Sequence, residues 1–176
     1  MTQTSSTPVP VVRPAVAADA EALARIAADT FVETFGHLYP PEDLQAFLST
    51  AYSFEKCHSH VTDPGKRVWL ATVEGELAGF IVVGRCKLPV ENLEPTAGEI
   101  QQLYVYSKYQ NLRLGTRLMD TAMDWLITSG RTPLYVGVWS ENFGAQRLYG
   151  RYGFKRFGEY GFPVGKTVDL EFILKR

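Results

Sequence analysis

The chain has 176 residues, 45% of them hydrophobic and 21% charged, with a formal net charge of −1. That length suits one domain with a real core and is short for two. The composition excludes a disordered chain, and the near-zero charge excludes a whole-chain field for nucleic acid or an anionic membrane surface.

The opening MTQTSSTPVP carries neither a basic region nor an apolar run, so residues 1–10 read as a flexible lead and not a secretory signal, with one domain over 11–176. Residues 11–16 (VVRPAV) suit a first strand. Asp19 is a candidate N-cap, and Leu23, Ile26, Ala27 and Phe31 recur at helical spacing, which predicts a helix over 20–35 stopped by Gly36. A second helix should open near Pro41 with Glu42 and Asp43 in its first turn and Leu44, Phe47, Leu48 and Tyr52 on its apolar side. Ser53 is placed to cap a third, short helix through the histidines. There the i, i+2 pair His58 and His60 falls on different faces, so it reads as solvated surface and no metal site is expected.

The period then changes from helical to alternating. RVWLATV and LAGFIVVGRC flank Glu74-Gly75 and read as a hairpin. A polar, Pro-bearing loop (87–96) leads to a strand over 98–106. A helix marked by Leu114, Leu118, Ala122, Trp125 and Leu126 follows, closed by Gly130. LYVGVW (134–139) is a short buried strand, 142–152 a helix ended by Gly153, and two strands close the chain. The order, roughly β-α-α-β-β-β-α-β-α-β-β, predicts an α/β (α+β) mixed sheet with helices on both faces and a right-handed parallel unit at 98–139. The two cysteines, Cys57 and Cys86, read as free thiols of a reducing, cytoplasmic setting, and no apolar run approaches a membrane span.

Two segments carry chemistry. In YQNLRLG (109–115), a polar turn leads into a helix whose free N–H groups favour an anion, with Gly115 allowing close approach and Lys108 and Arg113 adding positive charge. In WSENFGAQRLYGRYGF (139–154), Asn142 opens a helix on which Ala145 and Tyr149 share a face. Together they resemble the GNAT (GCN5-related N-acetyltransferase) superfamily. The first resembles its Gln/Arg-x-x-Gly-x-Gly/Ala pattern, and the second matches its Asn-x-x-Ala-x-x-x-Tyr-x-x-x-Gly-Phe pattern at Asn142, Ala145, Tyr149, Gly153 and Phe154. VVRPAVAADAEALARI is similar to the family's first strand and helix, so the likeness spans about residues 11–174.

The resemblance implies a mostly antiparallel sheet whose parallel fourth and fifth strands splay, with the pantetheine arm of acetyl-CoA entering the gap beside Leu103, Tyr104 and Val105. The pyrophosphate would sit on the turn of Gln110, Asn111, Leu112, Arg113, Leu114, Gly115 and Thr116. Asn142 and Ala145 would flank the pantetheine arm. Tyr149 would be the acid toward the leaving thiolate, and a backbone N–H near Tyr104 or Val105 the oxyanion donor. Glu99 is the leading general base, directly or through water, the other reading being a solvated strand-end carboxylate; Glu33 and His37 are further candidates. Arg113 departs from the pattern, which usually has Gly there, so altered coenzyme affinity is expected. Arg147 and Arg151 share a helix face, suited to the coenzyme's adenosine phosphate or to solvent.

For the acceptor, a small-molecule primary amine, Phe35, Tyr39, Tyr160 and Phe162 would wall an aromatic slot, and Glu33, Glu42 and Asp43 would attract a cation. TFG-x-x-Y followed by EDL, and the GKTVDLEFILKR ending, are similar to a bacterial spermidine/spermine acetyltransferase branch, which implies a polyamine. Dimers are common in the family, so a homodimer is an expectation. Two alternatives stay open: an acyl-CoA-binding or regulatory module with little turnover, and an acetyltransferase for a protein or peptide amine. A nucleotide-binding domain fits poorly, because Gly115 is followed by Thr-Arg and not Lys-Ser/Thr.

Overall fold

A computed structural model describes residues 8–176, so most of the expected N-terminal lead lies outside the described residues. The elements run β1 (Val11–Pro14), α1 (Ala20–Phe35), α2 (Pro41–Ala51), α3 (Phe54–Thr62), β2 (Arg67–Val73), β3 (Glu76–Arg85), β4 (Gly98–Val105), α4 (Leu114–Thr128), β5 (Leu134–Trp139), α5 (Phe143–Arg151), β6 (Lys155–Val164) and β7 (Thr167–Lys175). The strands form one sheet in the order β1-β2-β3-β4-β5-β7-β6. Among the described residues only β4 and β5 run parallel; every other pair is antiparallel.

Strand alternation decides which helices cover which face. Val68 and Leu70 on β2 and Phe80 and Val82 on β3 pack with Leu23, Ile26 and Phe31 of α1. The intervening Trp69, Ala71, Ile81 and Val83 pack with Leu118, Met119, Ala122 and Leu126 of α4 and with Tyr149 of α5. A one-residue slip would exchange the two cores, so register is strongly specified here. The Glu74-Gly75 turn has positive φ at both residues, 52° and 84°, the twist a two-residue hairpin needs. Ser53 caps α3 by accepting from Lys56 N at 3.1 Å, as its position suggested. The loop between β3 and β4 is less polar inside than its composition implies: Leu88 and Ala97 are buried against Tyr135 and Ile173.

Two irregularities shape the centre of the sheet. β4 pairs with β5 at only three positions, Gly98–Leu134, Glu99–Tyr135 and Ile100–Val136, so Gln101 onward has no partner on that side. Beside this point Val82 opposes Gln102 while Val83 opposes Ile100, which leaves Gln101 as the extra residue of a β-bulge. The bulge breaks the period of two: Ile100 and Leu103, three apart, share the α4 side, and Tyr104 lies on the α1 side.

Candidate active site

Where β4 and β5 part, a cavity of about 340 Å³ opens. Its wall takes Gln101, Gln102, Leu103 and Tyr104 from the unpaired part of β4 and Gly137, Val138 and Trp139 from β5. Asn142, Ala145 and Tyr149 come from α5, and Phe31, Phe35 and Tyr39 from α1 and the turn after it. Gly137 leaves room for the side chains opposite: a Cβ there would lie 2.9 Å from the Tyr160 hydroxyl and 3.1 Å from Glu171 Oε2, so those groups would have to shift.

The structure brings Glu99 and Tyr149 into this one wall. Glu99 is buried and not a solvated strand end, with 8% of its surface exposed. Burial pushes its carboxyl up to about 7, against the opposing pull of the Lys87 N–H, which donates to Oε2 at 2.7 Å, and of the Lys66 and Lys87 charges. Tyr149 is buried between the sheet and Phe154. Its hydroxyl bonds to none of the described residues, and burial, with Tyr104 and Glu171 nearby, raises its pKa well above the usual phenol value. Burial thus leaves the same wall with a carboxyl titrating near neutrality and a phenol that stays protonated.

Asn142 is the N-cap of α5, its side-chain oxygen accepting from Ala145 N at 3.1 Å, which leaves its amide N–H groups as donors toward the cavity. Gln146 ties the β5–α5 turn by donating to the Ser140 carbonyl at 2.9 Å. Residues Ser107–Leu112 form a 3-10 turn ahead of α4, followed by Arg113 at φ 57°, ψ 26° and then by Leu114 as the first residue of α4. The first helical bond runs from Arg117 N to Arg113 O, so the N–H groups of Leu114, Gly115 and Thr116 precede the helical ladder. The left-handed requirement of this turn falls on Arg113 and not on Gly115, whose added Cβ would meet only Leu148 at an ordinary 3.6 Å. Lys108 turns away to the Glu76 carboxylate at 3.4 Å. Gln110 and Asn111 are exposed, Leu112 is half-buried, Arg147 and Arg151 are exposed, and Val105 packs in the α4 core.

Because a left-handed non-glycine residue costs about 1–2 kcal/mol, Arg113→Gly is expected to raise unfolding free energy by about 0.5–1 kcal/mol, the larger entropy of an unfolded glycine offsetting part of the gain. Arg113→Val should lower it by more than that. Chemical denaturation of the three proteins checks the order.

Of the expected acceptor-side residues, Phe35, Tyr39, Tyr160 and Phe162 all line the cavity. Glu33 does not: its carboxylate accepts from Ser107 N at 3.0 Å at the start of the 3-10 turn. Glu42 and His37 are exposed, and Asp43 ties α2 to the β6–β7 turn by accepting from Lys166 N at 2.9 Å and Thr167 Oγ1 at 2.8 Å. Besides Glu99, the acids at the cavity are Asp169 and Glu171 of β7. Tyr39 donates to Asp169, and Tyr160 donates to Glu171 at 2.5 Å. Burial raises the Glu171 carboxyl, and Asp169 adds to the effect. The D-x-E spacing in TVDLEFIL was the available signal, since i and i+2 of a strand share a face. The histidine pair also differs from expectation. His58 stacks loosely on Phe54, whereas His60 is buried, lines the cavity and contacts Lys66.

Among known proteins, the Acetyltransferase (GNAT) family matches residues 20–154. The chain is similar to an uncharacterized N-acetyltransferase in the pepI 3' region of Lactobacillus delbrueckii subsp. lactis, 30% identical over 86% of this chain and 87% of that one. An uncharacterized N-acetyltransferase of Mycobacterium bovis is 27% identical over 90% of this chain and 97% of its own. Among solved structures, the PaiA N-acetyltransferase of Thermoplasma acidophilum in complex with coenzyme A shares the fold with TM-score 0.76 at 19% identity, covering 96% of this chain and 98% of that one. A GCN5-related N-acetyltransferase structure from Rhodopseudomonas palustris follows at TM-score 0.73 and 20% identity, over 100% and 99%. The chain therefore belongs to the acetyltransferase (GNAT) family and is an acyltransferase. Among the described residues no helix is long and apolar enough to cross a membrane.

Proposed function

We propose that the protein transfers the acetyl group of acetyl-CoA to a primary amine of a small molecule, by direct attack within a ternary complex. The observation that carries this reading is a single cavity at the β4–β5 gap whose wall holds both Glu99 and Tyr149. The similar Thermoplasma acidophilum fold was solved with coenzyme A, which supports acetyl-CoA as the co-substrate. The pantetheine arm lies along the unpaired edge of β4 by Leu103, Tyr104 and Val105, with the Asn142 amide as donor. The pyrophosphate sits on the N–H groups of Leu114, Gly115 and Thr116, with the Arg113 guanidinium alongside.

Attack needs a neutral amine. Glu99, titrating near 7, takes the ammonium proton directly or through water. The nitrogen lone pair then attacks the thioester carbonyl while a backbone N–H of β4 stabilises the oxyanion. As the C–S bond breaks, Tyr149 gives its proton to the coenzyme sulfur, and the second proton of the attacking nitrogen returns to the Tyr149 oxygen, leaving a neutral amide. A small-molecule acceptor is favoured over a protein amine by the concave aromatic wall of Phe31, Phe35, Phe47 and Trp139. The carboxylates Asp169 and Glu171 favour an amine that arrives as a cation. That pair is also what a polyamine reading has on its side.

The test is thiol release from acetyl-CoA with a panel of amines, alongside calorimetric titration of acetyl-CoA. Saturable binding and amine-dependent release are expected, and binding without release for any amine would point to a regulatory module. Arg113→Gly should change coenzyme affinity several-fold without abolishing binding.

A further inference from the structure

Besides its acids, the cavity wall carries three lysines, Lys56, Lys66 and Lys87, and the imidazole of His60. Lys66 is buried, with 6% of its surface exposed, and its side-chain contact is His60 Nδ1 at 2.7 Å. Among the described residues no carboxylate lies within 4.0 Å of any of these three ammonium groups. The nearby acids are engaged elsewhere: Asp63 accepts from Gly65 N, and Glu99 Oε2 accepts from the Lys87 backbone N–H. The site is built into the sheet, because Gly84 leaves room for the Lys66 stem, whose Cγ a Cβ there would approach to 3.0 Å.

The tautomer follows from the contact. An ammonium can only donate, so His60 Nδ1 accepts and the ring proton sits on Nε2. Nε2 is buried, with no hydrogen-bond partner among the described residues. Burial beside the lysines depresses His60 to about 4 and brings Lys66 down to about 8, so at neutral pH the imidazole is neutral and the ammonium charged. A buried cation and an unpaired N–H form a donor-only site, and leaving such groups unmatched is costly.

We infer that the acceptor carries an anionic group, a carboxylate or a phosphate monoester, held by Lys66 and His60 with Lys56 and Lys87 beside them, while its amine faces Glu99. The inference rests on the acetyl-transfer reading and names the acceptor's class. A polyamine, cationic at every end, brings like charge to the lysines, whereas an amine joined to an anion matches both halves of the cavity.

The test pairs acceptors that differ in this group: γ-aminobutyrate against its amide, O-phosphoethanolamine against ethanolamine, and putrescine as the all-cationic control. Each is titrated calorimetrically into the protein, with and without coenzyme A, and assayed by thiol release. At least one anionic acceptor should be preferred over its neutral partner by about tenfold or more, the size of a charge-assisted hydrogen bond. The arm that wins separates carboxylate from phosphate. In Lys66→Met, an apolar chain of similar length, the preference should fall to near unity. Lys87→Gln, at an exposed position, should reduce it partway even if the buried variant folds poorly. Equal or better use of the neutral partner in both pairs, or of putrescine over both anionic acceptors, overturns the inference while acetyl transfer stands. If no amine releases thiol, acetyl transfer fails, and the binding titrations still decide: anion-selective heat upholds the anion site, and equal heats overturn it.

Discussion

Replacing Tyr149 with Phe is expected to lower kcat by about a hundredfold to ten-thousandfold, the usual range for loss of a positioned acid, with little change in melting temperature. The two halves of that expectation have separate causes. The ring packs in the α4 core and meets Phe154 edge-on at 6.2 Å, contacts that Phe keeps. The hydroxyl bonds to no described residue, so its removal orphans no partner. Its raised pKa keeps the proton on oxygen through the working pH range, which suits a donor to a departing thiolate and not a base. Steady-state thiol release and a thermal melt of the same sample check both halves, and an unchanged kcat would remove Tyr149 from the mechanism.

Glu99→Gln should cost about a hundredfold or more in kcat/KM and also change the shape of the pH profile. In the wild type the base form appears as pH rises through about 7, so activity should climb there. The Gln variant should lose that limb. Stability moves the opposite way. The folded carboxyl binds its proton more tightly than the unfolded one, so between about 4.5 and about 7 the native state holds more protons and is progressively destabilised as pH rises. The variant should therefore gain melting temperature over the wild type at pH 8 and show little gain at pH 4. A purely structural glutamate would give the stability result without the kinetic one.

Much of this architecture was legible in the chain because its signals are local. Alternation in RVWLATV and LAGFIVVGRC, the Glu74-Gly75 turn, the Ser53 cap and the spacing of Asn142, Ala145 and Tyr149 each depend on a few neighbouring residues. The cavity's charge lining was not local. Lys66 and His60 meet across a turn, Asp169 reaches Tyr39 from the far end of the chain, and Glu33 looked suited to the acceptor because nothing nearby in sequence announces Ser107. His58 and His60 illustrate the limit: helical spacing separates their faces correctly but does not say that one face is covered. Arg113 shows the same limit for the backbone: the chain shows a departure from the pattern's usual Gly, and the structure shows the arginine itself taking the left-handed φ of 57°.

The extra residue at Gln101 has a kinetic consequence. A flat β4 would continue its ladder with β5 and close the gap, and a visitor would first have to unzip two strands. Here the ladder stops at Ile100–Val136 beside a kink written into the chain, so the doorway stands open at rest. Ligand capture then has no prior opening equilibrium to wait for, and the observed association rate should rise linearly with concentration, without a plateau, when followed by stopped-flow fluorescence of the nearby Trp139.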